Sequence, residues 1–153
     1  MFAGLLSCSE EITPSPYTYT KVFTGEQFKT WKFKFIEQTF NDDIEDTFTE
    51  PCALDDELVF YANAERAFKA INGNKKCASN ETFEINDTWT FNNASATLTM
   101  ILPIFNVMFG LDPNLSLPFI VRDARESKLE LEFFLDQENT VSYRIHFEAT
   151  DED

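Results

Sequence analysis

No group of side chains in the sequence has the spacing of a catalytic site. His146 is the single histidine of the chain, and it falls at a polar position of a predicted strand, which favours a surface histidine over a general base. The sequence contains no glycine-rich phosphate loop and no metal-ligand spacing. Asp and Glu together number 27 of 153 residues, so pairs of carboxylates arise by chance. We therefore expect no enzymatic activity, no cofactor and no metal.

One acidic segment carries oxygen atoms that Ca²⁺ could use. It runs from Asn41 to Asp46 with the sequence NDDIED, and it lacks the glycine and the terminal Glu of a calcium loop. A solvated loop is the expectation here.

The formal net charge of −15 disfavours nucleic acid and anionic lipid surfaces as partners, because both are polyanions.

The cysteines point to an oxidising compartment. Cys52 and Cys77 bracket a predicted hairpin, and a disulfide between them would close a loop of about 25 residues and contribute roughly 3 kcal/mol. Such a bridge agrees with export from the cytosol. Metal binding by the pair is the poorer alternative, since the chain has no CxxC and one histidine.

The third cysteine, Cys8, ends the apolar run FAGLLSC. This run resembles the lipobox of bacterial lipoproteins, with Leu5 and Ser7 at the matching positions, although it is short and has no basic residues before it. The resemblance implies lipidation of Cys8 and anchoring at the bacterial cell envelope. We expect a truncated signal over 1–8, a flexible tether over 9–24 and one domain over 25–150. The alternative is an unprocessed soluble N-terminus.

Alternation of polar and apolar residues dominates the rest of the chain. The clearest case is 127–149, where two alternating runs flank the polar loop DQEN, as in a β-hairpin. Six further segments have strand character, at 30–38, 57–62, 66–72, 87–91, 96–102 and 118–122. Strands separated by short turns predict an all-β fold, an antiparallel up-and-down barrel of about eight strands.

The segment Pro103–Leu117 breaks this pattern. Its apolar residues fall at helical spacing, with Pro103 at the start and Asp112-Pro113 at the end. The spacing predicts a short apolar helix or lid near 104–111, formed by Ile104, Phe105, Met108 and Leu111.

Several short marks follow one another in a recognisable order. They are a Trp early in the first strand (TWK, 30–32), a Cys before an Asp-Asp strand (CALDDEL, 52–58), a Lys-Cys pair (76–77), a Trp strand before Thr-Leu-Thr (89 and 97–99), and Leu-x-Leu-x-Phe (129–133). This order resembles the lipocalin-like domains of small bacterial envelope lipoproteins. The resemblance implies a calycin-type barrel that binds a small hydrophobic ligand. Two departures are Lys29, where lipocalins have the Gly of G-x-W, and Arg144, the candidate to cover Trp31, which alternation places on the polar face.

Two functions follow from this interpretation. In the first, the barrel holds a small hydrophobic ligand beneath the lid. In the second, a filled barrel serves as a protein–protein interaction module of a surface complex, and residues of the 104–109 segment protrude toward the partner. The interior of an eight-stranded barrel is either just filled by side chains or wide enough for one small ligand, so the strand count does not choose between the two functions. The candidates for the lining or core are Trp31, Phe33, Phe35, Phe60, Phe68, Trp89, Leu98, Phe119, Leu131, Tyr143, Ile145 and Phe147.

Overall fold

A computed structural model describes residues 16–79 and 81–150. It contains two helices and ten strands: α1 (Pro16–Thr24), β1 (Phe28–Phe40), β2 (Asp43–Phe48), β3 (Glu57–Tyr61), β4 (Ala67–Ile71), β5 (Glu84–Thr88), β6 (Thr90–Asn92), β7 (Thr97–Ile101), α2 (Pro103–Met108), β8 (Ser116–Ala124), β9 (Lys128–Phe134) and β10 (Val141–Ala149). Neither helix has the length and hydrophobicity that a transmembrane helix needs, as far as the chain is described.

The strands form one antiparallel sheet that curls into a nearly closed barrel. Its order is β5-β4-β3-β1-β10-β9-β8-β7-β6. The two ends of this path are consecutive in the chain, because only Trp89 separates β5 from β6. One segment therefore pairs with β4 through its first half and with β7 through its second half. The prediction of an all-β antiparallel barrel with a short helix is confirmed.

The strand count differs from eight for two reasons. The segment 84–92 counts as two strands, since the ladder is interrupted at Trp89. The acidic segment expected to be a loop contributes β2, which pairs with the second half of β1, while β3 pairs with the first half. Local sequence does not predict β2. Its residues are almost all exposed, so they do not alternate between a buried and an exposed face.

A β-bulge in β1 overturns one predicted core position. The ladder between β1 and β10 shifts between Phe33 and Phe35, so Phe33 faces Phe147 and Phe35 faces His146. Ile36, and not the predicted Phe35, is therefore the next interior residue of β1, and it is fully buried. Phe35 lies on the outer face, where its ring stacks on that of His146. A bulge adds one residue to a strand and so exchanges the two faces beyond it.

The helix α1 replaces part of the expected flexible tether. Residues 9–15 lie outside the described part of the chain, but 16–24 are helical. Phe23 is 0% exposed and contacts the rings of Phe60, Trp89 and Phe91. The Nε1–H of Trp31 donates to the carbonyl of Phe23 at 2.9 Å. We call this end of the barrel, closed by α1, the α1 end.

The predicted disulfide between Cys52 and Cys77 is confirmed, with a Cα–Cα distance of 5.2 Å. It joins the loop before β3 to the loop after β4. Since β3 and β4 are paired, the bridge joins the two chain segments at the open end of this hairpin, opposite to its turn. It also fixes the loop that contains Asp55 and Asp56.

Candidate functional site

The end of the barrel opposite to α1 is closed by α2, and we call it the α2 end. Pro103 suits the first helical position because its fixed φ matches a helix and its missing N–H would lack an intrahelical partner there. Gly110, at φ +66°, ends the helix in the left-handed region, and its N–H donates to the carbonyl of Val107. The result is six residues of helix that lie across the barrel mouth.

Phe105 is the side chain that α2 inserts into the barrel. It is 1% exposed. Its ring centroid lies 5.0 Å from that of Phe133, 5.5 Å from that of Phe119 and 4.6 Å from that of Phe109. Tyr143 joins this group through Phe109, at 4.5 Å. One aromatic ring on a short helix thus occupies a pocket made of aromatic rings.

Asn106 holds the following loop in place. It is 0% exposed, and its Nδ2 donates to the carbonyls of Pro113 (3.3 Å) and Leu115 (2.7 Å). Its backbone carbonyl accepts from the N–H of Leu111 at 2.7 Å. The side-chain oxygen Oδ1 is buried and has no hydrogen-bond donor among the described residues. The α2 end therefore contains a buried acceptor that no described donor satisfies.

A small cavity lies between α2 and the β3–β4 hairpin. Its volume is about 10 Å³, comparable to one water molecule. Its lining includes Pro103 and Ile104 of α2, and Asp56 and Asn72 of the hairpin. Oδ1 of Asp56 accepts from the N–H of Gly73 at 2.9 Å. Burial, with smaller contributions from the nearby Glu81 and Asp55, raises the pKa of Asp56 to about 7.

The lid residues take different positions around this end. Ile104 and Phe105 are buried, Met108 is half-buried, and Leu111 is 37% exposed. The interaction hypothesis required Ile104 and Phe105 to protrude from the barrel. Both are buried instead. Leu111 lies beyond Gly110, where the helix has ended and the apolar spacing no longer places a residue on the buried face.

The barrel interior is filled. Most of the predicted lining residues are buried, namely Trp31, Phe33, Phe60, Phe68, Trp89, Leu98, Phe119, Leu131, Ile145 and Phe147, whereas Tyr143 is half-buried at the α2 end. The aromatic rings contact one another in the interior, for example Phe60 with Trp89 at 5.7 Å. A ligand larger than water therefore needs a side chain to move.

The outer face carries an ion-pair network that the sequence did not indicate. Glu132 is 0% exposed and accepts hydrogen bonds from Arg122, Arg144 and Ser142. Both arginines also pair with Asp42. In the sequence Glu132 is one of several strand glutamates, and only the tertiary structure places two guanidinium groups on it. Every oxygen of this carboxylate has a partner, which indicates a structural role.

Two residues near the first-strand Trp differ from the lipocalin-based expectation. Arg144 belongs to the Glu132 network, so it does not cover Trp31. Lys29 takes that place, with its Nζ 4.7 Å from the centre of the Trp31 ring. Lys29 is thus the residue that both replaces the expected glycine and covers the ring.

His146 lies on the outer face between two carboxylates. Its Nε2 is 3.0 Å from Glu37 Oε2 and its Nδ1 is 3.6 Å from Glu130 Oε2. No group of three or more metal-ligating side chains in the described ranges is arranged to hold a metal ion. The acidic segment 41–46 likewise uses Asp42 for ion pairs with the two arginines.

Comparison with known proteins gives little beyond this geometry. No protein family and no curated protein matches the chain. Among solved structures, the chain is similar to a lipocalin-like protein from Bacteroides uniformis, with 14% identity, a TM-score of 0.44, and coverage of 78% of this chain and 94% of that one. The fold assignment rests on the strand pairing described above.

Proposed function

We propose that this protein is a lipocalin-like binding protein that takes a small hydrophobic ligand at the α2 end, and that α2 moves aside to admit it. The observation that carries the proposal is the position of Phe105, whose ring fills an aromatic pocket from a six-residue helix. A ligand that replaces this ring meets Phe119, Phe133 and Tyr143. Aromatic and aliphatic ligands of modest size suit such a pocket.

The buried Oδ1 of Asn106 adds a preference within this class. An acceptor without a donor costs free energy when buried, and a ligand with one hydroxyl or amide N–H next to its apolar body could satisfy it. The proposed ligand is therefore mainly apolar with a single donor group.

The test is titration of the full-length, oxidised protein with an environment-sensitive fluorescent fatty acid. Phe105→Ala empties the proposed pocket and should raise the affinity for the probe. Phe68→Ala is the matched control, since Phe68 is equally buried but packs on Phe60 toward the α1 end. It creates a cavity of similar size and should leave the affinity unchanged.

Each large-to-small change costs about 3–5 kcal/mol, so near-ultraviolet circular dichroism must show that both variants are folded. Phe105→Leu is the milder alternative. Absence of saturable binding by the folded wild type and by the folded Phe105 variants would rule out the proposed pocket. Equal gains in Phe105→Ala and Phe68→Ala would show that the probe enters any void.

A second candidate is a non-enzymatic interaction module, and the filled interior favours it. Its contact surface cannot include the buried Ile104 and Phe105. Exposed apolar side chains do occur beside the β9–β10 turn, where Phe40 is paired with Val141 and Leu135 is bonded to Val141. A photo-crosslinking residue at Leu135 should give a discrete protein adduct in cells. The control position is the similarly exposed Phe83, and identical adducts at both positions would contradict this candidate.

The proposal for location is lipid anchoring through Cys8 at the bacterial cell envelope. Cys8 lies outside the described residues. The Cys52–Cys77 disulfide supports the proposal, because such bridges persist in oxidising compartments. Intact-mass spectrometry of the native protein is the test: diacylglycerol on an N-terminal Cys8 is expected, and mature protein that retains an unmodified Met1 would exclude it.

A further inference from the structure

Asp56 is a buried acid located at the seat of α2. It lines the small cavity together with Pro103 and Ile104, and its backbone carbonyl accepts from the N–H of Phe33 of β1. The remaining lining is mostly apolar and includes Leu102 and Phe147, with Glu57 and Asn72 as its other polar residues. Asp56 and the start of α2 therefore border the same cavity.

No positive charge compensates Asp56 in the described part of the chain. The residues of α2, PIFNVM, carry no charge, and the cavity-lining residues of β1, β4 and β10 are uncharged as well. The charged groups around Asp56 are acids: Glu57 in the cavity wall, and Asp55 and Glu81, which both act on it. Lys76 is bonded to the backbone carbonyl of Glu81, not to Asp56.

Asp56 is 9% exposed and has no cation beside it in the described ranges, so its ionised form is poorly solvated while α2 is closed. The cavity beside it has a volume of about 10 Å³, enough for about one water molecule, and its lining includes Ile104 and Pro103 of α2. Outward movement of α2 would enlarge this space. The ionised acid therefore favours the open position of the helix, and the neutral acid favours the closed one.

We propose that the protonation state of Asp56 controls how firmly α2 is seated, so that ligand enters more readily at neutral and alkaline pH than at acid pH. This inference rests on the proposed function for the identity of the entrance. A raised pKa for Asp56, about 7, places the change near neutrality. Because the folded-state pKa lies above the usual value, closure loses stability as pH rises from about 4 to about 7 and changes little above that.

The direct test is amide hydrogen exchange of the full-length, oxidised protein between about pH 5 and about pH 8, corrected for intrinsic exchange rates. The reporters are the amides of Asn106, Phe109 and Leu111, which are bonded within α2 and its loop. Their protection should fall by up to about tenfold per pH unit up to about pH 7. At each pH their protection should remain below that of amides in β9 and β10, which report global unfolding, because α2 opens locally.

Asp56→Asn removes the charge at nearly constant shape and should abolish this pH dependence of the α2 amides. Asp55→Asn is the matched control, because Asp55 bonds Asn74 and Lys75 and does not line the cavity. It should retain the dependence. If Asp56→Asn behaves as the wild type, or if α2 amides follow those of β9 and β10 at every pH, the inference is wrong.

A parallel titration with the uncharged fluorophore N-phenylnaphthylamine separates this inference from the proposed function. Tighter binding at pH 8 than at pH 5, lost in Asp56→Asn, supports both. Binding that does not change with pH, together with flat α2 protection, overturns the pH control and leaves the ligand site standing. Protection that changes with pH, without any probe binding, overturns the ligand site and leaves the pH control standing.

Discussion

Removal of the buried carboxylate of Glu132 provides a strong test of the ion-pair network on the outer face. Glu132→Ala leaves Arg122, Arg144 and Ser142 without their shared acceptor. Breaking a buried pair from one side typically costs 3–5 kcal/mol, because a charge remains buried and unpaired. Here both arginines keep Asp42, and their side chains are 37% and 16% exposed, so water solvates part of the charge. We therefore expect a loss of about 3 kcal/mol.

Equilibrium unfolding in urea, without reductant, measures this loss. With a slope of about 2 kcal/mol per M, the midpoint should fall by about 1.5 M at unchanged slope. The control is Glu148→Ala, which removes a surface pair with Lys34 at 2.7 Å and should leave the midpoint within error. Equal midpoints for the two variants would refute the view that the barrel wall depends on a desolvated carboxylate at position 132.

Three further predictions concern other parts of the fold. Cys52→Ser with Cys77→Ser should lower the free energy of unfolding by about 3 kcal/mol, and reduction of the wild type should reproduce the shift; no shift would show that the bridge does not constrain the unfolded chain. The free energy of unfolding should fall as pH rises from about 4 to about 7, since the raised pKa of Asp56 favours its neutral form in the folded state, and Asp56→Asn should flatten this decline. Trp31→Phe leaves the Phe23 carbonyl without its donor and should cost about 1–3 kcal/mol, with faster proteolysis near α1; unchanged proteolysis would mean that other contacts hold the helix.

The fold class could be predicted because strands are encoded locally. Alternation in the 127–149 segment predicts a hairpin, and the structure has β9 and β10 there with the ladder running from Lys128 to Phe134. The helix α2 could be predicted for the same reason, because the helical spacing of its apolar residues and Pro103 at its start are signals within a few residues. The disulfide was predictable because Cys52 and Cys77 flank a hairpin that is itself local.

Other features depend on contacts between distant segments. Phe35 has the alternation of a core residue, yet a bulge against β10 moves it outside and brings Ile36 inside. The tether prediction failed for 16–24 because Phe23 gains a cluster of aromatic partners that lie more than thirty residues away in the chain. Asp56 and Asn106 are ordinary polar residues in the sequence, and their burial follows only from how α2 is seated.

The sequence alone determined the strands other than β2, where the short helix α2 begins and which cysteines pair, because each depends on neighbours within a hairpin or a helical turn. Only the tertiary structure decided that the barrel interior is filled, that Phe105 occupies its α2 end, and that Asp56 borders the cavity at α2 with no cation beside it among the described residues. These depend on how side chains from many strands share one interior volume, a quantity that no local pattern contains.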